Sequence, residues 1–177
     1  RGQSMNDLPP QLRDRARQSE AETAKFLPHV RELVAGGKTV AFADSGDPMM
    51  YCPWSWVTED FSVLEPTVIP GVSSFNAANA ALRQSVTKKA SSVLISAGDD
   101  LGNPDEHGRL RIMLVLFTHR AKFSDLLPRL QARYPLDTPI AVVTEASYER
   151  QQVVFATLGT IQEELAGKEL PHLYLIY

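Results

Sequence analysis

The residues of this chain with the best chemistry for holding a small ligand are short, glycine- and serine-bearing loops rather than acids, bases or thiols. Ser45-Gly46-Asp47-Pro48 follows the apolar run Val40-Ala41-Phe42-Ala43 at once. Gly46 has no Cβ, so the backbone there can turn sharply or approach a ligand closely. Pro48 fixes its own φ and biases Asp47 away from helix. A second loop of the same kind, Gly71-Val72-Ser73-Ser74, follows Thr67-Val68-Ile69-Pro70 and precedes the alanine-rich run Phe75 to Leu82. Ser73 or Ser74 can cap a helix there, and the free N–H groups of a helix start can donate to a ligand. Thr118-His119-Arg120 and Thr144-Glu145-Ala146-Ser147 also follow apolar runs.

Other reactive groups carry less. Cys52 is the single cysteine, so no internal disulfide forms. No histidine lies near it in sequence, and it reads as a small buried residue rather than a nucleophile. Four acidic residues fall between Ala97 and Gly108 beside three glycines and a proline. Their spacing does not fit a calcium loop, so the segment reads as an exposed loop and no metal site is expected. Arg13, Arg15 and Arg17 read as a solvated helix face. Trp54 and Trp56, close to the first loop, suit either a pocket wall or a hydrophobic plug.

The elements that must position these loops alternate between strand and helix. Buried strands are expected at Val40–Ala43 and Thr67–Pro70, each running into its loop. A charged helical pattern covers Gln11 to Val34, with a break expected at Pro28 and a stop at Gly36-Gly37. Further strands are expected at Ser92–Ser96, Arg111–Phe117, Pro139–Val143, Gln151–Ala156 and Leu173–Tyr177. The run to Phe117 is apolar enough to be buried on both faces. Phe123 to Tyr134 is amphipathic, with Phe123, Leu126, Leu127 and Leu130 on one helical face. Thr160 to Ala166 reads as a short helix closed by Gly167. In open α/β sheets ligands sit beyond the carboxyl ends of strands, where these loops lie. The polar stretch 83–90 separates two α/β domains, 1–83 and 84–177.

Composition fits this picture. At 177 residues and 44% apolar, the chain can bury a core. Its net charge of −3, with both signs scattered, argues against a nucleic-acid partner. No apolar run approaches the roughly 20 residues of a membrane span, and no secretory signal opens the chain. With one cysteine this implies a cytoplasmic protein.

Taken in order, these segments resemble those of the tetrapyrrole (corrin and porphyrin) methylases. Ser45-Gly46-Asp47-Pro48 with Tyr51 is similar to that family's Gly-Asp-Pro loop. VIPGVSSFNAANAAL, residues 68–82, is similar to its Pro-Gly-Val-Ser-Ser-Phe helix start. DTPIAVVTEASYERQQVVFATLGTI, residues 137–161, resembles its Thr-Pro-Val-Ala-Val-Val and Gly-Thr-Leu segments, and LPHLYLIY resembles its closing strand. The resemblance covers roughly residues 31–177 and is nearest to the precorrin-4 type, in which C11 of the corrin ring is methylated.

The resemblance implies two α/β domains with an inter-domain cleft, the first incomplete at its start, where the family has a strand and a Gly-rich loop. It implies S-adenosylmethionine as cofactor, a tetrapyrrole substrate and a homodimer. Cofactor-contacting positions fall on Ser45, Gly46, Asp47, Met50, Ser73, Ser74, Thr118 and Ala146. Tyr51, His119 and Arg120 would face the substrate, whose carboxylates suit arginine. A catalytic nucleophile is not expected, because an activated methyl needs mainly positioning. Alternatives within the same fold are a methylase of another acceptor, of the diphthamide type, and a catalytically silent binding module. The sequence departs from the family at Cys52, where glycine is usual, at Lys88-Lys89, and at Glu145, where some relatives carry a neutral polar residue.

Overall fold

The unbroken apolar run Ile112–Phe117 forms a strand, β2, inside a five-stranded mixed sheet. The computed structural model describes residues 24–52, 54–88, 90–98, 101, 111–118 and 121–177. The chain divides into two compact units, residues 1–43 and residues 44–177.

In the first unit the described helix, α1, covers residues 24–35. Pro28 does not break it; proline withholds only its own N–H from the ladder, and the helix continues through it. Gly36 and Gly37 close α1, with Gly37 at φ +76° and its N–H on the Val34 carbonyl. Residues 40–43, expected as a buried strand, form none. Apolar content alone does not make a strand, which exists only through its ladder. Phe42 instead meets Phe26 edge-on, ring centroids 5.6 Å apart.

In the second unit, α2 covers Val57–Asp60 and a 3₁₀ turn covers Ser62–Leu64. α3 is Ser74–Leu82 and α4 is Phe123–Gln131. α5 is Ile161–Glu164. The strands are β1, Ser92–Ala97, β2, β3, Pro139–Thr144, β4, Gln152–Thr157, and β5, Tyr174–Ile176. The segment 67–70 is a second expected strand that does not form. It runs exposed and outside the described sheet, with Ile69 79% accessible. The polar stretch 83–90 lies within this unit.

Sheet order is β1-β2-β5-β3-β4. β1 is parallel to β2, while β5 is antiparallel to both β2 and β3. β1, β2 and β3 therefore run the same way, and their carboxyl ends share one edge of the sheet. Strand alternation splits the core in two. Leu116, Ile140, Val142 and Ile176 face α4 and α5 with Leu126, Leu130 and Ile161. Val115, Ala141, Val143 and Leu175 face α3 through Ala78 and Leu82. The central strands are covered on both faces, as their continuous apolar runs require. Pro128 sits within α4, whose buried Leu126, Leu127 and Leu130 hold it to the sheet.

Candidate functional site

The sheet edge at the carboxyl ends of β1, β2 and β3 collects the glycine and serine loops of the second unit. Loop 44–52 is closed on itself. The Asp44 carboxylate accepts from the Ser45 N–H at 2.7 Å with Oδ1 and from the Cys52 thiol at 2.9 Å with Oδ2. These two donors hold Asp44 below the usual carboxylate range. Burial, and then the same carboxylate, push the Cys52 thiol up. Cys52 is thus held as a thiol, the form that neither attacks nor binds metal. Asp47 Oδ1 accepts from the Met49 N–H at 2.8 Å, an Asx turn that lets Pro48 follow. Gly46 has φ +85° and supplies the left-handed step.

Loop 71–74 meets loop 44–52 directly. A methyl on Gly71 would overlap the Gly46 carbonyl oxygen, so only glycine fits there. Ser73 is the N-cap of α3 in extended backbone and accepts from the Phe75 N–H at 3.2 Å. The same hydroxyl donates to the Met50 thioether at 3.2 Å. Ser74, the first residue of α3, is exposed. The other end of this contact chain is the sheet. The Tyr51 hydroxyl donates to the Ile95 carbonyl on β1 at 3.3 Å, and its ring lies 4.8 Å from that of Phe117 on β2.

Thr118 follows β2 and is buried, with its hydroxyl donating to the Tyr174 carbonyl at 2.8 Å. That hydroxyl is committed to joining β2 to β5. Ala146, beyond β3, packs half-buried on the α3-side core. Glu145 and Ser147 beside it have φ +46° and +71°. Glu145 pairs with the exposed Arg150 at 2.8 Å, an ion pair worth little in water.

Nine of the eleven sequence-derived positions therefore gather at one sheet edge or on the loops that reach it, eight of them through the loops and strand exits: Gly46, Met50, Tyr51, Ser73, Thr118 and Ala146 by packing, bonding or strand exit, and Ser45 and Asp47 by membership of the loop. Ser74 joins them as the start of α3. His119 and Arg120 lie outside the described residues, as does most of the acidic segment 97–108. Trp54 and Trp56 lie 6.0 Å apart with their rings tilted by 42°, and Val57 and Phe61, which follow them in sequence, are buried. Three features escaped the sequence: the Asp44–Cys52 closure, the Gly46–Gly71 crossing and the Tyr51 contacts. Only the Pro70-Gly71 dipeptide gave a local sign of the second. A groove of about 490 Å³ between α4 and α5 has one charged lining residue, Lys168. It offers no acid–base pair and belongs to none of these loops.

The sequence pattern of the Tetrapyrrole (Corrin/Porphyrin) Methylases matches residues 3–162 of this chain. The chain belongs to the tetrapyrrole methylase family. It is 33% identical over 147 residues to the precorrin-4 C(11)-methyltransferase of Mycobacterium tuberculosis, covering 75% of this chain and 59% of that protein. The chain thus spans about three-fifths of the length of that curated relative. The uroporphyrin-III-C-methyltransferase of Thermus thermophilus superposes with a TM-score of 0.67 at 26% identity, over 89% of this chain and 70% of that one. A Thermus thermophilus uroporphyrin-III C-methyltransferase complexed with S-adenosyl homocysteine shares the fold, with a TM-score of 0.54 and 22% identity over 74% of this chain and 61% of that one.

The exit-edge loops of this chain present backbone and a helix start rather than reactive side chains. They offer exposed backbone at Ser45 and Gly46, a glycine crossing that keeps side chains away, and a helix start at Ser74. They hold no thiolate, and among the described residues no cluster of three or more metal-ligating side chains.

Proposed function

We propose that the protein is an S-adenosylmethionine-dependent methyltransferase that methylates a ring carbon of a tetrapyrrole, of the precorrin-4 type. The observation that carries this is the meeting of loops 44–52 and 71–74, reached by the β1 and β2 exits, in a chain of this family. Ser45, Gly46, Asp47, Met50, Ser73, Ser74, Thr118 and Ala146 are the positions assigned to the cofactor. The cofactor supplies, when bound, a sulfonium methyl that is already activated. The chain's own task is then to orient and to exclude water. Gly46 and Gly71 let the backbone come close, the Ser73–Met50 bond fixes the loop to α3, and Thr118 braces the sheet edge through the Tyr174 carbonyl. With its hydroxyl so engaged, Thr118 would meet the cofactor through its backbone.

The same reading places the domain boundary near residue 83, since all five described strands lie within 92–176. It makes the protein a cytoplasmic homodimer acting on a small-molecule acceptor, with neither nucleic acid nor membrane as partner. The net charge of −3 and the lack, among the described residues, of a helix long and apolar enough to cross a membrane support that last point.

The test is calorimetric titration of the protein that contains this chain with S-adenosylhomocysteine. Transfer of labelled methyl to a panel of corrin and porphyrin intermediates follows. Micromolar binding and transfer to a corrin intermediate are expected. Binding with transfer only to a non-tetrapyrrole acceptor would move the protein to another acceptor class. Binding without any turnover would make it a silent module, and absence of binding would remove the cofactor assignment.

A further inference from the structure

We infer that Tyr51 is a positioning residue that fixes loop 44–52 to the sheet, and that it acts on cofactor affinity rather than on the acceptor. This rests on the reading of the loop as a cofactor site. Tyr51 has φ +53°, in the left-handed region that side chains other than glycine avoid. A non-glycine residue stays there only where its surroundings hold it. Two attachments do so. Its hydroxyl donates to the Ile95 carbonyl at 3.3 Å, and its ring lies 4.8 Å from Phe117 at a 51° tilt. Ile95 lies near the carboxyl end of β1 and Phe117 at that of β2, so one side chain spans two adjacent parallel strands.

The turn at Tyr51 also sends the chain back on itself. The next residue, Cys52, donates its thiol to Asp44 at the far end of the loop, and the Trp54 N–H donates to the Cys52 sulfur at 3.3 Å. The loop is therefore held on two sides. Toward α3 it is held by the Gly46–Gly71 approach and the Ser73–Met50 bond. Toward the sheet it is held by Tyr51. Tyr51 directly follows Met50, so without the sheet-side anchor segment 46–50, with Gly46 and Asp47, is held from α3 alone. Tyr51 is 43% exposed, so removing it opens no core cavity. A loss of ligand affinity without a loss of fold is the signature that separates positioning from packing.

The experiment compares the wild type with Tyr51→Phe and Tyr51→Ala in the protein that contains this chain. Tyr51→Phe keeps the ring contact and is expected to bind S-adenosylhomocysteine within about threefold of wild type. Tyr51→Ala is expected to weaken it about tenfold or more, because small misplacements of binding groups are costly. The thermal midpoint and the KM for the tetrapyrrole should stay unchanged. Amide exchange at Met49–Cys52 should speed up in Tyr51→Ala with no ligand present. Wild-type affinity in Tyr51→Ala, or an effect confined to tetrapyrrole KM, would overturn the assignment; the latter would place Tyr51 against the acceptor. If the wild type itself binds no S-adenosylhomocysteine, the proposed function fails. The exchange measurement then decides the anchor alone, and unchanged exchange overturns it.

Discussion

Gly71 lies so close to Gly46 that a methyl on its Cα would overlap the Gly46 carbonyl oxygen and sit 3.1 Å from the carbonyl carbon. Neither side of this clash is a flexible side-chain tip. Both are backbone, so the crossing cannot adjust by a rotamer change. It sets the spacing of the two loops assigned to the cofactor, one by its turn and the other by its helix start.

Gly71→Ala should therefore separate loops 44–52 and 71–74 and weaken S-adenosylhomocysteine binding by about tenfold or more. Gly167→Ala is the control. Gly167 has φ +73°, and a Cβ there meets nothing within 4 Å. It should cost about 1 kcal/mol in stability through backbone strain and leave binding unchanged. Calorimetry on both variants beside urea unfolding reads the contrast. Equal affinity in wild type and Gly71→Ala would mean that loop spacing does not govern the site.

Much of this edge was legible in the sequence, and the reason is local chemistry. Gly46 and Gly71 stand where backbones turn or cross, Ser73 where a helix needs a cap, and the run Ile112–Phe117 where a strand is covered on both faces. What could not be read is nonlocal. Residues 40–43 and 67–70 have the apolar content of strands but are not among the strands of the described sheet, and apolar content alone does not make one. The Tyr51–Ile95 and Cys52–Asp44 bonds depend on a left-handed turn at a tyrosine, which no propensity predicts. The family resemblance placed Thr118 at the cofactor by position, yet its hydroxyl faces the Tyr174 carbonyl.

Thr118→Val tests that last point. The substitution keeps the shape and deletes the hydroxyl, leaving the Tyr174 carbonyl without that donor in a buried setting. A loss of about 1–3 kcal/mol in unfolding free energy is expected, with S-adenosylhomocysteine affinity within about threefold of wild type. A tenfold fall in affinity would show that the hydroxyl reaches the ligand instead.

Ser73→Ala removes an N-cap and the donor to Met50 together. The cap alone should cost about 1 kcal/mol, read as a shift in the urea midpoint without a change in slope. Ser73→Asp restores an acceptor for the Phe75 N–H but not a donor for the thioether. It should recover most of the stability while leaving the Met50 side of the loop unanchored. If Ser73→Asp also recovers full ligand affinity, the sulfur contact plays no part in positioning.

Tyr174 makes the unit sensitive to alkali. Its hydroxyl donates to the Ala121 carbonyl at 3.0 Å. Burial first, and the nearby Asp125 charge second, push its phenol up from 10.0 to about 12. The folded state thus favours the neutral phenol more than the unfolded chain does. The corresponding stability is fully present below pH 10 and is lost as pH rises from there to about 12. Burial pushes the Tyr177 phenol, which bonds Asn79 and the Phe75 carbonyl on α3, in the same direction. Unfolding free energy should therefore fall with rising pH above 10, and the fall should be shallower in Tyr174→Phe, where one of the two phenols is gone. Urea unfolding at stepped pH, with phenolate absorbance followed in the folded protein, measures both. An identical alkaline decline in wild type and Tyr174→Phe would show that this phenol is as easily ionised folded as unfolded.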